Sequence, residues 1–90
     1  MLKEILVIDD NPDIRLLVSS ILKDQNFEVR TAANYDQAVF EINKKLPDLA
    51  IIDIKLDKTD KDGIDLLKLV TKKSKLVPII MISGLSLIHI

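Results

Sequence analysis

Three short apolar runs constrain the fold of this chain most strongly: EILVI at 4–8, LAIIDI at 49–54 and PIIMIS at 78–83. They lack the alternation of polar and apolar residues that marks a strand with one face in water. Such runs are typical of strands that are covered on both faces, as in a parallel sheet. A further strand is predicted at 27–32, FEVRTA, so the chain is expected to contain four strands.

The segment after the first run carries the signals of a helix. Asn11 is a capping residue, Pro12 suits the first turn, and Asp13 lies near the positive end of the helix dipole. The helix is predicted to end at about Gln25. Its apolar stripe, expected to pack on the sheet, comprises Ile14, Leu17, Val18, Ile21 and Leu22, whereas Arg15, Ser19, Lys23 and Asp24 are expected to face solvent.

Two more helices are predicted, at Tyr35–Leu46 and at about Ile64–Lys73. The inner side of the first of these is expected to carry Ala38, Ile42 and Leu46. The element order is therefore βαβαβαβ. Because right-handed crossovers place the helices of such a chain on both faces of the sheet, the predicted fold class is α/β with a doubly wound parallel sheet.

Acidic residues follow two of the buried runs directly. Asp9 and Asp10 end the first strand, and Asp53 lies at the end of the third. If these strands are neighbours, as in the strand order 2-1-3-4-5, three carboxylates converge outside the carboxyl ends of the strands, where such sheets bind ligands. Their mutual repulsion requires a cation, and Mg²⁺ suits a few oxygen ligands with several waters.

Each of these acids also has a simpler interpretation. Taken alone, Asp9 and Asp10 before Asn11 are as typical of helix capping as of metal binding. Asp53 alone could be a surface acid at a strand end, although a charge after an apolar run requires a partner. Because acids lie at the ends of two strands that are expected to be neighbours, metal binding is favoured over helix capping and over a surface acid.

Composition excludes several classes of partner. The formal net charge is −1, so bulk electrostatics indicates neither nucleic acid nor a membrane surface as a partner. There is no cysteine, and no apolar run approaches the roughly 18 residues that a membrane span needs. These features favour a cytoplasmic protein.

Taken together in order, four motifs resemble the receiver domains of two-component response regulators. The motifs are VIDDN after the first strand, IIDI at the end of the third, the pair Asp62-Gly63, and Ser83-Gly84 after the fourth strand. The resemblance implies a flavodoxin-like receiver topology, with residues 1–84 forming a partial receiver domain. This partial domain would lack the fourth helix, the fifth strand and the fifth helix of the family.

The resemblance also implies a function and its residues. Asp53 would accept a phosphoryl group from a sensor histidine kinase or a small phosphodonor. Asp9, Asp10, Asp53 and the backbone carbonyl of Lys55 would bind Mg²⁺, and Ser83 would donate a hydrogen bond to a phosphoryl oxygen. The chain would be a regulatory phosphoacceptor rather than an enzyme, and any output domain would lie outside it.

The chain departs from the family pattern in its loop and at its end. Asp57 stands where the family usually has proline, and Gly63 lies about two residues later than the pattern expects. No lysine follows Lys75, so the cation that would pair with the phosphoryl group is absent. We interpret residues 85–90, LSLIHI, as a tail of non-native origin from cloning or a frameshift.

A receiver that stops at this point is expected to expose apolar surface. We expect the fourth strand to be unpaired along one side and the apolar faces of the sheet and first helix to be uncovered. Self-association, with strand exchange between chains as one form, is the expected consequence.

Two alternative functions remain at this stage. The chain could be an interaction module that is not phosphorylated because the lysine is missing. It could also be a Mg²⁺-dependent phosphohydrolase with Asp9 as nucleophile. Such hydrolases prefer an acid two residues after the nucleophile, where this chain has Asn11.

Overall fold

A computed structural model describes residues 2–56, 63–83 and 86–89, and for Ser83 and residues 86–89 it describes the backbone alone. The strands are Glu4–Ile8 (β1), Glu28–Ala32 (β2), Leu49–Asp53 (β3), Ile79–Ser83 (β4) and Ser86–His89 (β5). The helices are Pro12–Asp24 (α1), Tyr35–Lys44 (α2) and Gly63–Lys73 (α3). None of the helices in these ranges is long and apolar enough to cross a membrane.

The sheet has the order β2-β1-β3-β4-β5, and its first four strands are parallel. The prediction that the first and third strands are neighbours is confirmed, and Ile8 is in register with Ile52. The carboxyl ends of β1 and β3 therefore meet at the same edge of the sheet, directly before Asp9 and at Asp53.

One face of the sheet forms the main core beneath α2 and α3. Its side chains are at most 3% exposed: Leu6 and Ile8 of β1, Ala50 and Ile52 of β3, Ile79 and Met81 of β4, Ala38 and Ile42 of α2, and Leu66 and Val70 of α3. Ala38 and Ile42 are buried as predicted, and Leu46 packs against this core. Complete burial of such side chains is the dominant favourable contribution to folding.

The other face of the sheet is covered less completely. Ile5 and Val7 of β1 are buried, but Leu49 and Ile51 of β3 and Ile80 and Ile82 of β4 are only half-buried. The expectation that these strands are covered on both faces is thus wrong for β3 and β4. Among the described elements, α1 is the helix on this side, and it contacts β1 and β2.

The prediction that the apolar stripe of α1 packs on the sheet is partly wrong, whereas the expectation that an apolar face of this helix is uncovered is confirmed. Ile14, Leu17 and Ile21 are 38%, 57% and 53% exposed, whereas Ser19, expected to face solvent, is buried. Val18 and Leu22 are half-buried. The helix packs on the sheet with the side that carries Ser19, which leaves most of the apolar stripe turned away from the strands below it.

The expectation that the fourth strand is unpaired along one side is also wrong. β5 pairs with β4 in antiparallel register, with Met81 opposite Ile88. Only two residues separate the strands, and so short a connection permits a hairpin but no crossover to a parallel strand. Residues 86–89 therefore cover the outer side of β4 with their backbone.

Both ends of α1 carry local capping interactions. The Asn11 side chain accepts hydrogen bonds from the N–H groups of Asp13 (2.9 Å) and Ile14 (3.3 Å). At the other end Asn26 adopts φ 67°, and the N–H of Phe27 donates to the carbonyl of Leu22 at 3.1 Å. This is the hydrogen-bond pattern of a Schellman motif, in which asparagine tolerates the left-handed conformation.

Arg30 of β2 joins three elements through its guanidinium group. It lies 3.0 Å from carboxylate oxygens of both Glu4 on β1 and Glu41 on α2, and these three side chains are only 14–20% exposed. It also donates to the carbonyls of Glu41 and Lys45. One cation therefore compensates two largely buried acids.

Arg30→Met is expected to lower the free energy of unfolding by about 2 kcal/mol, because two partly buried carboxylates would lose their counter-charge. Urea unfolding followed by circular dichroism measures this change. Lys68→Met, at an exposed position of α3, is the control and should change stability by less than about 0.5 kcal/mol. Equal stability of the Arg30 variant and the parent would contradict the role assigned to Arg30.

Candidate functional site

Three carboxylates meet at the carboxyl ends of β1 and β3. One oxygen from each of Asp9, Asp10 and Asp53 lies within 4.8 Å of the other two. The register of β1 with β3 produces this cluster, since it places the residues that follow the two buried runs side by side. The structure thus brings together the three acids that the sequence placed at strand ends.

Asp9 is held in place by its backbone and its side chain. Its N–H donates to the carbonyl of Ala32 at 3.1 Å, and its Oδ1 accepts from the N–H of Asn11 at 2.9 Å. Its carbonyl accepts from Nη1 of Arg15 at 2.8 Å. Asp9 is only 5% exposed, whereas Asp10 is exposed. The cluster therefore combines a fixed, buried carboxylate with a solvated one.

Asp53 is half-buried at the end of β3, and its Oδ1 accepts from the N–H of Lys55 at 3.2 Å. Burial, followed by the negative charge of Asp9, raises the pKa of Asp53 to about 6. The charge of Asp10 and a hydrogen bond with it act in the same direction, and the N–H of Lys55 opposes them. A cation in the cluster would remove the repulsive part of this effect.

Gly63, the first residue of α3, packs directly against the backbone that carries Asp53. Its N–H donates to the carbonyl of Ile54 at 2.9 Å. A Cβ at this position would lie 2.2 Å from the carbonyl oxygen of Asp53 and 2.9 Å from the Cα of Ile54. Only a residue without a side chain fits here, so the start of α3 fixes the position of the Asp53 backbone.

The acids line a small cavity at the edge of the sheet. Its volume is about 240 Å³, and its walls are formed by Asp9, Asp10, Asn11, Ile14, Asp53 and Ile82. This space suits a hydrated cation and a small group bound to it better than a large organic ligand.

Other predicted site features lie outside what the structure describes. The hydroxyl of Ser83 does so although its backbone is part of β4, and so do Asp57, Asp62 and Gly84. The backbone carbonyl of Lys55 stays a predicted ligand. The sequence did not predict the hydrogen bond from Arg15 to the carbonyl of Asp9. Arg15 lies beside the apolar stripe of α1, and nothing in that pattern indicates that its side chain bonds to a residue six positions earlier.

The pKa of Asp53 leads to a prediction about stability in metal-free solution. The pKa of Asp53 is about 6 in the folded chain, above its ordinary value of 3.8, so the fold favours the protonated carboxyl group. The stability that this group contributes is therefore complete below about pH 4 and is lost as the pH rises through 6. Asp53→Asn should therefore raise the melting temperature at pH 7 in EDTA, with no gain near pH 4. Solvent screening reduces the expected gain to about 1 kcal/mol, or roughly 4–8 °C.

Thermal unfolding of the parent and the variant at both pH values measures this difference. The asparagine side chain still accepts the hydrogen bond of the Lys55 N–H, so the comparison isolates the charge. The same difference in melting temperature at pH 4 and pH 7 would contradict the assignment.

Comparisons with known proteins agree with this geometry. The sequence model of the response regulator receiver domain matches residues 5–88. The nitrogen assimilation regulatory protein NtrX of Azorhizobium caulinodans is 42% identical over 84 residues, which are 93% of this chain and 18% of that protein. The chain thus spans about a fifth of the length of such relatives. These regulators give no support to the phosphohydrolase alternative.

Solved structures show the same fold. The receiver domain of NtrX from Brucella abortus is 43% identical, with a TM-score of 0.79 over 86% of this chain and 64% of that one. A CheY-like receiver domain protein from Methanospirillum hungatei is 32% identical, with a TM-score of 0.87 over 96% of this chain and 67% of that one. The chain belongs to the response regulator receiver domain family, the phosphoacceptor domains of two-component signal transduction.

Proposed function

We propose that Asp53 is the phosphoacceptor of this chain and that it reacts in a Mg²⁺ site formed with Asp9 and Asp10. The observation that carries the proposal is the convergence of the three carboxylates at the ends of two neighbouring strands. An Oδ of Asp53 attacks the phosphorus of the donor, the bond from phosphorus to the donor breaks, and an acyl phosphate forms on Asp53.

The residues present fit a hard divalent cation. Opposite ligands of Mg²⁺ lie roughly 4 Å apart, since its bonds to oxygen are about 2.0–2.1 Å long, and the three carboxylate oxygens lie within 4.8 Å of one another. Asp9, Asp10, Asp53 and the backbone carbonyl of Lys55 are the proposed ligands. The bound ion would neutralise charge on the carboxylate and on the phosphoryl oxygens.

The residues around the three acids contribute separate parts of the proposed chemistry. The hydrogen bonds from Asn11 and Arg15 hold Asp9, and the N–H of Lys55 orients the carboxylate of Asp53. The Ser83 hydroxyl is proposed to donate to a phosphoryl oxygen after transfer.

The proposed partners follow from the family. A sensor histidine kinase supplies the phosphoryl group, and an output domain beyond this chain receives the signal. We also propose a cytoplasmic location and regulation rather than catalysis as the role of the chain. A further part of the proposal is self-association through the exposed apolar surface.

The intact mass of the chain tests the proposal after incubation with acetyl phosphate and Mg²⁺. We expect a phosphoryl adduct in the parent and none in Asp53→Asn or in samples with EDTA. Asp48→Asn is the matched control, because Asp48 is an exposed acid beside the opposite end of β3. An adduct that persists in Asp53→Asn would reject Asp53 as the acceptor, and its absence from all samples would favour an interaction module without phosphorylation.

A further inference from the structure

Arg15 is a charged residue on the side of α1 that packs on the sheet. Half-buried Val18, buried Ser19 and half-buried Leu22 follow it at the spacing of one helix face. A guanidinium group that is partly buried loses hydration and requires polar partners, whereas an aliphatic side chain at this position would not. Packing alone therefore does not account for an arginine here.

The partner of this guanidinium group is a carbonyl group and not an acid. Nη1 of Arg15 donates to the carbonyl oxygen of Asp9 at 2.8 Å. Within the described ranges Arg15 forms no ion pair with a carboxylate, unlike Arg30. Arg15 thus lies beside the cluster of three acids without pairing with any of them, and its contact acts on the backbone of the loop that carries two of these acids.

The carbonyl group that Arg15 binds belongs to the peptide unit between Asp9 and Asp10. Because a peptide unit is planar, holding its oxygen fixes the direction in which the chain enters Asp10. The preceding peptide unit is held separately, since the N–H of Asp9 donates to the carbonyl of Ala32 at 3.1 Å. Arg15 therefore provides a second anchor for this loop, and this anchor comes from α1.

Asp10 has few other contacts that could fix its position. It is exposed, and none of the residues that the structure describes forms a hydrogen bond with its backbone. Its carboxylate also repels that of Asp53 when both are ionised. Asp9, by contrast, is only 5% exposed, and its Oδ1 accepts from the N–H of Asn11 at 2.9 Å. Loss of the Arg15 side chain should therefore displace Asp10 more than Asp9.

We propose that Arg15 is a positioning residue for the cation site and acts through Asp10, because it holds the peptide unit that directs the Asp10 carboxylate into the cluster. The inference rests on the proposed Mg²⁺ site but not on phosphorylation of Asp53. A guanidinium group has no acceptor atom, so Arg15 is not itself a ligand. Its positive charge repels a cation, so its removal weakens Mg²⁺ binding only if positioning outweighs this repulsion.

NMR titration of the 90-residue chain with MgCl₂, followed through backbone amide shifts, tests the proposal. We expect Arg15→Met to bind Mg²⁺ at least about tenfold more weakly than the parent, as for loss of a supporting residue around a metal. Arg15→Gln keeps a polar group but is too short to reach the carbonyl, and it should lose as much affinity. Lys23→Met, at an exposed position of α1, is the control and should stay within about twofold of the parent.

A double-mutant cycle with Asp10→Asn separates the positioning of Asp10 from a general loosening of the fold. In the Asp10→Asn chain, Arg15→Met should weaken Mg²⁺ binding by no more than about twofold, because the carboxylate that Arg15 positions is gone. The same loss as in the parent background would overturn the proposal. Unchanged or tighter binding by Arg15→Met and Arg15→Gln would overturn it as well.

The titration contains no phosphodonor, so its result is independent of the proposed phosphorylation. A parent chain that shows no Mg²⁺-dependent shifts would overturn the cation site and the role of Arg15 together. Mg²⁺ binding that responds to Arg15 as expected, in a chain that forms no adduct with acetyl phosphate, would support this inference and reject only the phosphoacceptor. Circular dichroism of each variant verifies that it is folded.

Discussion

Gly63→Ala is expected to slow the phosphorylation of Asp53 by about 100-fold and to cost about 1–3 kcal/mol of stability. The added methyl group would lie 2.2 Å from the carbonyl oxygen of Asp53, and all of its nearest neighbours are backbone atoms. These atoms cannot rotate away as a flexible side chain can. Either α3 or the end of β3 must shift, and both shifts change the position of the Asp53 carboxylate.

The rate of adduct formation with acetyl phosphate and the urea unfolding curve measure these two effects separately. Thr71→Ala, at an exposed position of α3, is the control for an alanine substitution in the same helix and should leave the rate unchanged. A Gly63→Ala chain that reacts at the rate of the parent would show that the close contact does not position Asp53.

The second large effect is expected for Asp9→Asn, which should weaken Mg²⁺ binding by at least about 100-fold. Loss of a supporting residue outside the ligand set typically costs 10–100-fold in metal affinity, and loss of a charged ligand should cost at least as much. The asparagine oxygen can still accept from the N–H of Asn11, so the loop keeps its hydrogen bond while the site loses a charge.

Isothermal titration calorimetry with MgCl₂ measures this affinity. Asp24→Asn, at the other end of α1, removes an equal charge far from the cluster and should leave the affinity within about twofold, as expected for a screened surface charge. If Asp9→Asn binds Mg²⁺ as tightly as the parent, Asp9 is not a ligand.

The strands and the position of the acids at their ends could be predicted because both depend on local signals. Apolar runs without alternation identify β1 and β3, and the acids follow these runs directly in the sequence. Once β1 and β3 are neighbours, Asp9 and Asp53 must lie at the same edge of the sheet. The βαβ rules alone leave the strand order open, and the order 2-1-3-4-5 came from the resemblance to receiver domains.

The errors occurred where packing between distant elements decides the outcome. Helical periodicity gave an apolar stripe on α1 but not which part of it meets the sheet, so Leu17 was predicted inside and Ser19 outside. The pairing of β5 with β4 depends on residues that complete no recognisable pattern. The role of Arg30 rests on acids 26 residues before it and 11 residues after it, which only the folded chain brings together.

The position of the phosphoryl group tests the central claim most directly. Borohydride reduces an aspartyl phosphate to homoserine, which tandem mass spectrometry of peptides locates within the sequence. After reaction with acetyl phosphate and Mg²⁺, we predict homoserine at position 53 and unmodified aspartate at positions 9 and 10. Homoserine at position 9 instead would contradict the assignment of Asp53 as phosphoacceptor and would indicate the chemistry of an aspartate-nucleophile hydrolase.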